Sequence, residues 1–504
     1  MRRTEPALAA LGGATAALLG AAAGHLVAAL TNPSSSPVLA VGSTVIDLTP
    51  TPVKEWAVAR FGTADKPILV GSVVVVSMLL AASAGVLARW RYAVGLGVFT
   101  ALAAAAAGAA LTRPAAVALD GLPALATALV GGAALWLVTR SAPRAGQPAA
   151  ADGGPRPSRG TVLVVGALAA GAMAGAGQWL AQVRTRPSSV TLPGPADPAP
   201  ALPDGLEGRF SGISDLQTPV EDFYRVDTRL ALPVVAVDDW TLTIDGDVDR
   251  ELRLTFDELV AMPLVERDIT MTCVSNEVGG GYVGSARWLG VPLAVLLDRA
   301  GVGSRADQIL STDVEGFTIS TPLKVALDGR DTLVAVGMNG AALPRAHGFP
   351  ARLVTPGLYG FVGSTKWLSR LTLTTYDDAA AYWTDRGWAT DAPIKIASRI
   401  DTPRPLSTVD AGDAVIGGVA WAQHRGIGGV EVRVDAGPWQ QARLGPDVGV
   451  DYWRQWYLPW NAPNGQHTLA VRARTVDGEL QAEERVTPFP DGSSGIQEIV
   501  VNVA

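Results

Sequence analysis

Five apolar runs near the N-terminus constrain this chain more than any other feature. They cover about 7–30, 68–88, 92–111, 115–138 and 161–183. Each is roughly 20 residues or longer, enough to cross a hydrocarbon core at about 1.5 Å per residue. Asp120 is the one acid inside a run, near the start of the fourth, where it can reach the interface. Buried helices of a soluble domain are the alternative reading. A mean hydropathy of +0.25 over 504 residues favours the membrane.

Basic residues in the short loops set the expected orientation. Arg2 and Arg3 precede the first run, Arg89 and Arg91 separate the second and third, and Arg140, Arg144, Arg156 and Arg159 separate the fourth and fifth. The alternate loops hold only Lys54, Arg60, Lys66 and Arg113. This asymmetry places the N-terminus in the cytoplasm and everything after about residue 184 outside. In the first outer loop, Val53–Phe61 reads as a short helix lying on the membrane. A cleavable signal peptide is not expected, because apolar runs keep recurring.

The net charge of −7 averages two unlike parts. Residues 1–183 carry 12 Lys/Arg against 6 Asp/Glu, and residues 184–504 carry 28 against 41. An acidic outer part argues against a nucleic-acid partner. The expected organisation is multidomain: a five-helix transmembrane bundle over 1–186, a Pro-rich linker over 187–207, an α+β domain over 208–391 and an all-β sandwich over 392–504. In the α+β part, Trp240–Ile244 and Leu368–Thr374 alternate as strands. Thr255 and Glu258 form a capping box, and Val291–Ala300 is a helix closed by Gly301. After residue 392, short alternating runs separated by Asn464-Gly465 and Asp477-Gly478 turns predict an immunoglobulin-like sandwich.

A single cysteine excludes an internal disulfide, a Cys-rich metal cluster and a c-type haem site. Cys273 follows the alternating Ile269–Thr272 and precedes Gly279-Gly280-Gly281, so its thiol sits at a strand end. Taken alone, such a cysteine is a small buried hydrophobe or a nucleophile. His347 is the imidazole available to activate it, which leaves a Cys–His hydrolase open. The stretch from Asn339 to Trp367 combines His347, Arg352 and Lys366 with five glycines. Arginine, lysine and exposed backbone amides suit a phosphate. The spacing is neither a Walker loop nor a dinucleotide fingerprint, and a surface loop with turn glycines remains the other reading.

This stretch resembles the pterin-binding segment of the sulfite oxidase family. The shared pattern is Asn339-Gly340, then His347-Gly348, Pro350 and Arg352, then Pro356-Gly357 and Gly360, then Lys366-Trp367. The resemblance continues in Asp222–Thr228, in Ala286–Leu293 and in the position of Cys273, where the family has its molybdenum ligand. It covers roughly 208–504, and it implies an α+β molybdopterin-binding domain followed by an immunoglobulin-like domain that supports a homodimer. The implied cofactor is Mo-molybdopterin, ligated through Cys273. Its implied contacts are Tyr224, Arg225, Asp313, His347, Arg352, Gly363, Ser364, Thr365 and Lys366. Cys273, Arg225, Trp388 and Glu277 are implied at the reacting centre.

Two departures bear on the substrate. Sulfite oxidases usually follow the ligand cysteine with Ala-Gly-Asn-Arg-Arg, whereas this chain reads Val274-Ser275-Asn276-Glu277-Val278. Glu277 stands where an arginine attracts the anion, and its charge repels sulfite. Trp388 stands where the family has a tyrosine, and an indole donates a hydrogen bond but is no phenolic acid. A neutral sulfoxide, N-oxide or similar small compound is therefore expected over sulfite, with sulfite oxidase proper and a non-catalytic binding protein on the same fold as alternatives. No haem is expected, since the spans contain only His25. The electron partner is expected to be a quinone or a cytochrome. An outer catalytic domain loaded in the cytoplasm implies twin-arginine export, for which Arg156 and Arg159 are a degenerate match.

Overall fold

The computed structural model describes residues 4–61, 64–140, 159–184 and 190–504. The chain divides into two compact units, Met1–Ser188 with Asp227–Val234, and Ser189–Val226 with Val235–Ala504.

The first unit is helical: α1 (Thr4–Leu30), α2 (Pro37–Leu48), α3 (Thr51–Phe61), α4 (Asp65–Ala88), α5 (Tyr92–Leu111), α6 (Leu122–Arg140) and α7 (Arg159–Arg184). Among the described residues five helices are long and apolar enough to cross a membrane, in the places the sequence indicates. Small residues let their backbones meet, as apolar solvent demands. A Cβ added at Gly13 of α1 would lie 2.8–2.9 Å from backbone atoms of Gly85 in α4. Val75, Val76, Leu79, Leu129 and Leu168 stay exposed, a surface suited to lipid. Asp120, expected near the interface, is buried in a 3-10 turn before α6. Its carboxylate accepts from Asn32 Nδ2 and the Val117 amide, both at 3.1 Å, with Arg113 at 3.6 Å. Helix α2 was not foreseen; its 12 residues are too short to span. Arg2, Arg3, Arg144 and Arg156, on which the expected orientation and export route rest, lie outside the described residues.

The second unit opens with strands β1 (Thr241–Gly246), β2 (Leu252–Thr255), β3 (Val265–Thr272), β4 (Val283–Pro292), β5 (Gln308–Asp313), β6 (Thr318–Pro322), β7 (Leu333–Met338), β8 (Ala341–Ala342), β9 (Arg352–Val354) and β10 (Leu368–Thr374). They form two sheets, β2-β1-β10-β5-β6 and β3-β4-β7-β8, with β9 added to β7. Helices α8 (Phe256–Val260), α9 (Leu293–Ala300), α10 (Leu323–Ala326) and α11 (Gly360–Gly363) complete this part. The Thr255–Glu258 capping box forms as expected, and Gly301 ends α9 at a φ of +72°. Trp240, Leu242, Ile244, Leu259, Leu293 and Leu297 fill the core between sheet and helices.

From Ala397 onward the chain is all-β, a four-stranded and a five-stranded sheet closing over Ile416, Val432, Trp456, Leu469 and Val501. A further core joins this sandwich to the α+β part through Leu216, Val274, Tyr359, Trp388, Val419, Trp421 and Trp453. The segment expected as a linker is, from Val190, a strap on this unit. The Ala196 amide donates to Leu264 O at 2.7 Å, the Glu266 amide to Asp197 O at 2.9 Å, and the Leu206 amide to Gln455 Oε1 at 2.7 Å. Proline keeps the strap extended, and an extended chain can use the start of β3 as a template. Residues 187–189 lie outside the described residues.

Candidate functional site

Strand β3 delivers Cys273, and the sandwich holds that strand in place. The Thr270 amide donates to Asp451 O at 2.9 Å, and the Trp453 amide to Thr270 Oγ1 at 2.7 Å. Gln423 Nε2 donates to Thr270 O at 3.0 Å and to Thr272 Oγ1 at 3.3 Å. On the other edge, the Thr270 and Ser285 hydroxyls bond each other. The chain then turns. The Cys273 amide donates to Tyr282 O at 2.9 Å, and Asn276 closes the loop through its amide to Cys273 O at 3.0 Å and its Oδ1 from the Tyr282 amide at 2.8 Å. Cys273 is half-buried and forms no disulfide. Burial pushes its thiol up, while the Ser275 amide and hydroxyl and the Lys366 charge pull it down. Donors and a cation aimed at sulfur suit a thiolate.

The second wall is the stretch between β8 and β10. Gly348, at a φ of +111°, allows the chain to fold back on itself; a Cβ there would sit 3.0 Å from Lys366 Cα and 3.1 Å from Arg352 Cβ. That reversal brings His347, Arg352 and Lys366 together. His347 is buried, with Nε2 3.2 Å from Val220 O and its ring edge-on to Phe223 at 5.5 Å. Arg352 is 4% exposed; its Nη1 donates to His347 O at 3.1 Å, and the guanidinium lies 5.0 Å from the Trp288 ring centre. Burial brings Arg352 down to about 10. Burial, with the Arg352 charge second, brings His347 down to about 4, so the imidazole is neutral. Lys366 Nζ donates to Ala346 O at 3.3 Å and lies 4.6 Å from the Trp367 ring centre. Thr365 is buried, its hydroxyl 2.5 Å from Ser311 Oγ, and the Ser364 amide closes α11 on Gly360 O at 3.0 Å. Gly363 packs where a Cβ would come within 3.1 Å of Leu358 Cβ and Thr355 Cβ.

Tyr224 and Arg225 complete the cluster from a loop between the strap and β1. Tyr224 stacks on Phe223 at 5.2 Å. Burial pushes its phenol well above the ordinary range, and Cys273 adds to the rise while Arg352 opposes it. The Arg225 charge is felt at His347. Six of the sequence-derived residues, Tyr224, Arg225, Cys273, His347, Arg352 and Lys366, therefore act on one another in the fold.

Three others are placed differently. Asp313 is buried, but its Oδ1 accepts from the Glu315 and Phe317 amides, both at 2.8 Å, and so holds the β5–β6 turn. Glu277 is exposed on the turn after Cys273. Trp388 is 7% exposed among Phe361, Trp383 and Phe489, and its Nε1 has no hydrogen-bond partner.

The cluster is cationic, and it contains an unanswered donor: Arg352 Nε is buried with no partner. A buried guanidinium with an orphaned N–H is costly unless an anion meets it. Arg352, Lys366 and the Ser364 hydroxyl suit a bound phosphate, and the thiol of Cys273 suits a soft metal. These groups have the chemistry that an anionic, metal-bearing cofactor calls for.

Sequence reasoning missed Tyr359 and Gln423. Tyr359 is buried, its oxygen accepts from the Lys395 amide at 3.4 Å, and burial pushes the phenol up to about 12. Its place between Gly357 and Gly360 in the same stretch was the available signal. Gln423 is 150 residues from Cys273, and no local pattern marks it.

A family model described as an oxidoreductase molybdopterin binding domain matches residues 229–383. Sulfite oxidase of Gallus gallus is 31% identical over 323 residues, which cover 54% of this chain and 69% of that protein. Mitochondrial sulfite oxidase of Rattus norvegicus is 30% identical over 312 residues, 52% of this chain and 57% of that one. A Solanum lycopersicum nitrate reductase [NADH] is 32% identical over 194 residues, 33% of this chain and 21% of the relative. Sulfane dehydrogenase SoxCD from Paracoccus pantotrophus shares the fold at a TM-score of 0.50 and 24% identity, covering 57% of this chain and 83% of its own. The chain spans 54–57% of the length of the mammalian sulfite oxidases it matches.

Proposed function

The chain belongs to the sulfite oxidase family of molybdopterin oxidoreductases, and on that premise we propose that it is a membrane-anchored enzyme of two-electron oxygen-atom transfer. Its active site faces the extracytoplasmic side, and its substrate is a neutral sulfoxide, N-oxide or similar small compound. The observation that carries the substrate class is Trp388 Nε1, a buried neutral donor without a partner. A sulfoxide or N-oxide oxygen accepts one such hydrogen bond and carries no net charge to be compensated.

The bound molybdenum cofactor supplies the electron pair and the oxygen-accepting centre. Each protein group has a narrower task. Cys273 Sγ would hold the metal, at the end of a strand that Gln423 and Thr270 keep in register. Arg352 Nε and Lys366 Nζ would hold the phosphate with the side chains of Ser364 and Thr365, next to the small Gly363. His347, neutral and with its Nε2–H given to Val220 O, would accept one hydrogen bond from the pterin at Nδ1 without adding charge. Tyr224 and Arg225 would close the other side. Trp388 would orient the substrate oxygen. In sulfoxide reduction the S–O bond breaks, sulfur gains two electrons, and the oxygen leaves as water with two protons. The electrons come from a quinol or a reduced cytochrome, and the sandwich supports a homodimer.

Sulfite oxidation is the second reading, favoured by 30–31% identity to sulfite oxidases. One experiment separates these readings from a binding protein. Purified protein is analysed for molybdenum and pterin, then assayed with sulfite and with sulfoxides. The proposal requires about one of each per chain and faster turnover of sulfoxide. Efficient sulfite oxidation with weak sulfoxide reduction overturns the substrate class, and absence of both metal and pterin overturns the enzyme. For topology, a reporter fused after residue 190 should be active only outside the cytoplasm.

A further inference from the structure

The sandwich sends one loop, Val486 to Ser494, back to the α+β part of the same unit. Its base is closed by the Val486 amide to Ser494 O at 3.0 Å and the Ser494 amide to Val486 O at 3.3 Å. Its inside is braced by the Gly492 amide to Pro488 O at 2.7 Å. The loop meets three parts of the candidate site. Pro490 O accepts from the Ala389 amide at 3.2 Å, next to Trp388. Ser493 Oγ donates to Asn276 O at 2.6 Å, on the turn that follows Cys273. Gly492, at a φ of +98°, lies against Tyr359 so closely that a Cβ would come within 2.5–2.6 Å of the phenol carbons and oxygen. Lys395 pins the tip, with Nζ 2.9 Å from Asp491 Oδ1 and 2.6 Å from Gly492 O.

Fixed in this way, Phe489 stands edge-on to Trp388 at 5.2 Å and 78°, while Phe361 flanks the indole at 5.5 Å. Phe489 is still 38% exposed, so part of its ring is open. Phe489 and Trp388 thus set a partly open aromatic face over one buried, unpaired neutral N–H. Those two features match the two halves of an organic sulfoxide. The oxygen accepts from the indole, and the apolar substituent packs on the ring, where sulfur–aromatic contact adds attraction.

We propose that Phe489, carried by the Val486–Ser494 loop, is a specificity-determining residue that selects neutral sulfoxides bearing a bulky apolar or aryl substituent. This rests on the oxygen-transfer reading above. The immunoglobulin-like part then contributes a wall of the substrate pocket.

The test uses the full-length holoenzyme with reduced viologen as electron donor and two substrates, methyl phenyl sulfoxide and dimethyl sulfoxide. Wild type is compared with Phe489→Ala and the milder Phe489→Leu, each checked for molybdenum content and thermal unfolding. For methyl phenyl sulfoxide, kcat/KM should fall roughly tenfold in the alanine variant and roughly threefold in the leucine variant, through KM, with kcat within about twofold. Dimethyl sulfoxide should change by less than about twofold. Calorimetric binding of methyl phenyl sulfoxide should weaken in parallel. An equal fall for both substrates, a fall carried by kcat, or no fall overturns this proposal and leaves the oxygen-transfer reading standing. A wild type that reduces neither sulfoxide overturns both.

Discussion

Replacing Arg352 with methionine should stabilise the cofactor-free protein and empty the loaded one. In the fold burial holds the guanidinium down at about 10, well below the ordinary arginine range. At 1.36 kcal/mol per pH unit, the charged form carries a penalty of about 3 kcal/mol. Its partners are few: one hydrogen bond to His347 O and the Trp288 face, with Nε unmet. Methionine keeps much of the stem and removes the charge. Losing those two contacts should take back about 1 to 2 kcal/mol, which leaves a net gain of about 1 to 2 kcal/mol in the absence of cofactor. With cofactor present the sign reverses. Losing a charge-assisted bond to a phosphate should weaken retention roughly ten- to a hundredfold. The folded-state pKa of Arg352 is depressed, but both the folded and the unfolded values lie at about 10 or above, so each state keeps the proton below about pH 9 and the difference should be flat from pH 6 to 9. The assay is urea unfolding of detergent-solubilised protein from a host unable to make the pterin, with pterin fluorescence of the same variants from a competent host. If the cofactor-free variant is less stable than wild type by more than about 1 kcal/mol, the guanidinium is satisfied without an anion and the phosphate argument fails.

Three further outcomes follow from the same geometry. His347, held at about 4 against 6.5 unfolded, binds fewer protons folded than unfolded between those values; stability should rise with pH through that window, and about 3 kcal/mol present above pH 6.5 should be lost on acidification to pH 4. His347→Gln should flatten that dependence, as read from urea midpoints at pH 7 and pH 4.5. Gly348→Ala places a Cβ at 3.0–3.1 Å from Lys366 and Arg352 on backbone of positive φ, and should cost about 1 to 3 kcal/mol by thermal unfolding while lowering pterin content. Cys273→Ser should retain pterin within about twofold but lower the molybdenum-to-pterin ratio well below one by elemental analysis, because a neutral hydroxyl replaces the soft ligand; an unchanged ratio refutes ligation through this residue.

Much of the site was legible because its residues are close in sequence. Asn339 to Trp367 holds His347, Gly348, Arg352 and Lys366 in one stretch, and a glycine that must adopt positive φ is visible as a glycine. Roles that depend on which backbone groups a residue meets once folded were not legible. Asp313 carries the charge expected of a cofactor contact, yet the Glu315 and Phe317 amides occupy its Oδ1. The proline run after residue 187 reads as a tether by composition, yet from Val190 it lies along the start of β3. Extended backbone is compatible with either outcome, and only the availability of a strand edge decides between them.

The sequence by itself determined the elements whose signal is local: five apolar helices, whose length alone matches a bilayer, the capped helix at Thr255, the alternating strands of the sandwich and the glycine-bearing stretch around His347. Only the tertiary structure decided which groups share an environment. It placed the Cys273 thiol under the influence of Lys366 and Tyr224, left Arg352 Nε and Trp388 Nε1 buried without partners, and set Phe489 against Trp388 across 101 residues of sequence. Burial and hydrogen-bond satisfaction depend on what the rest of the chain brings to a position, which no periodicity in the residues around it records.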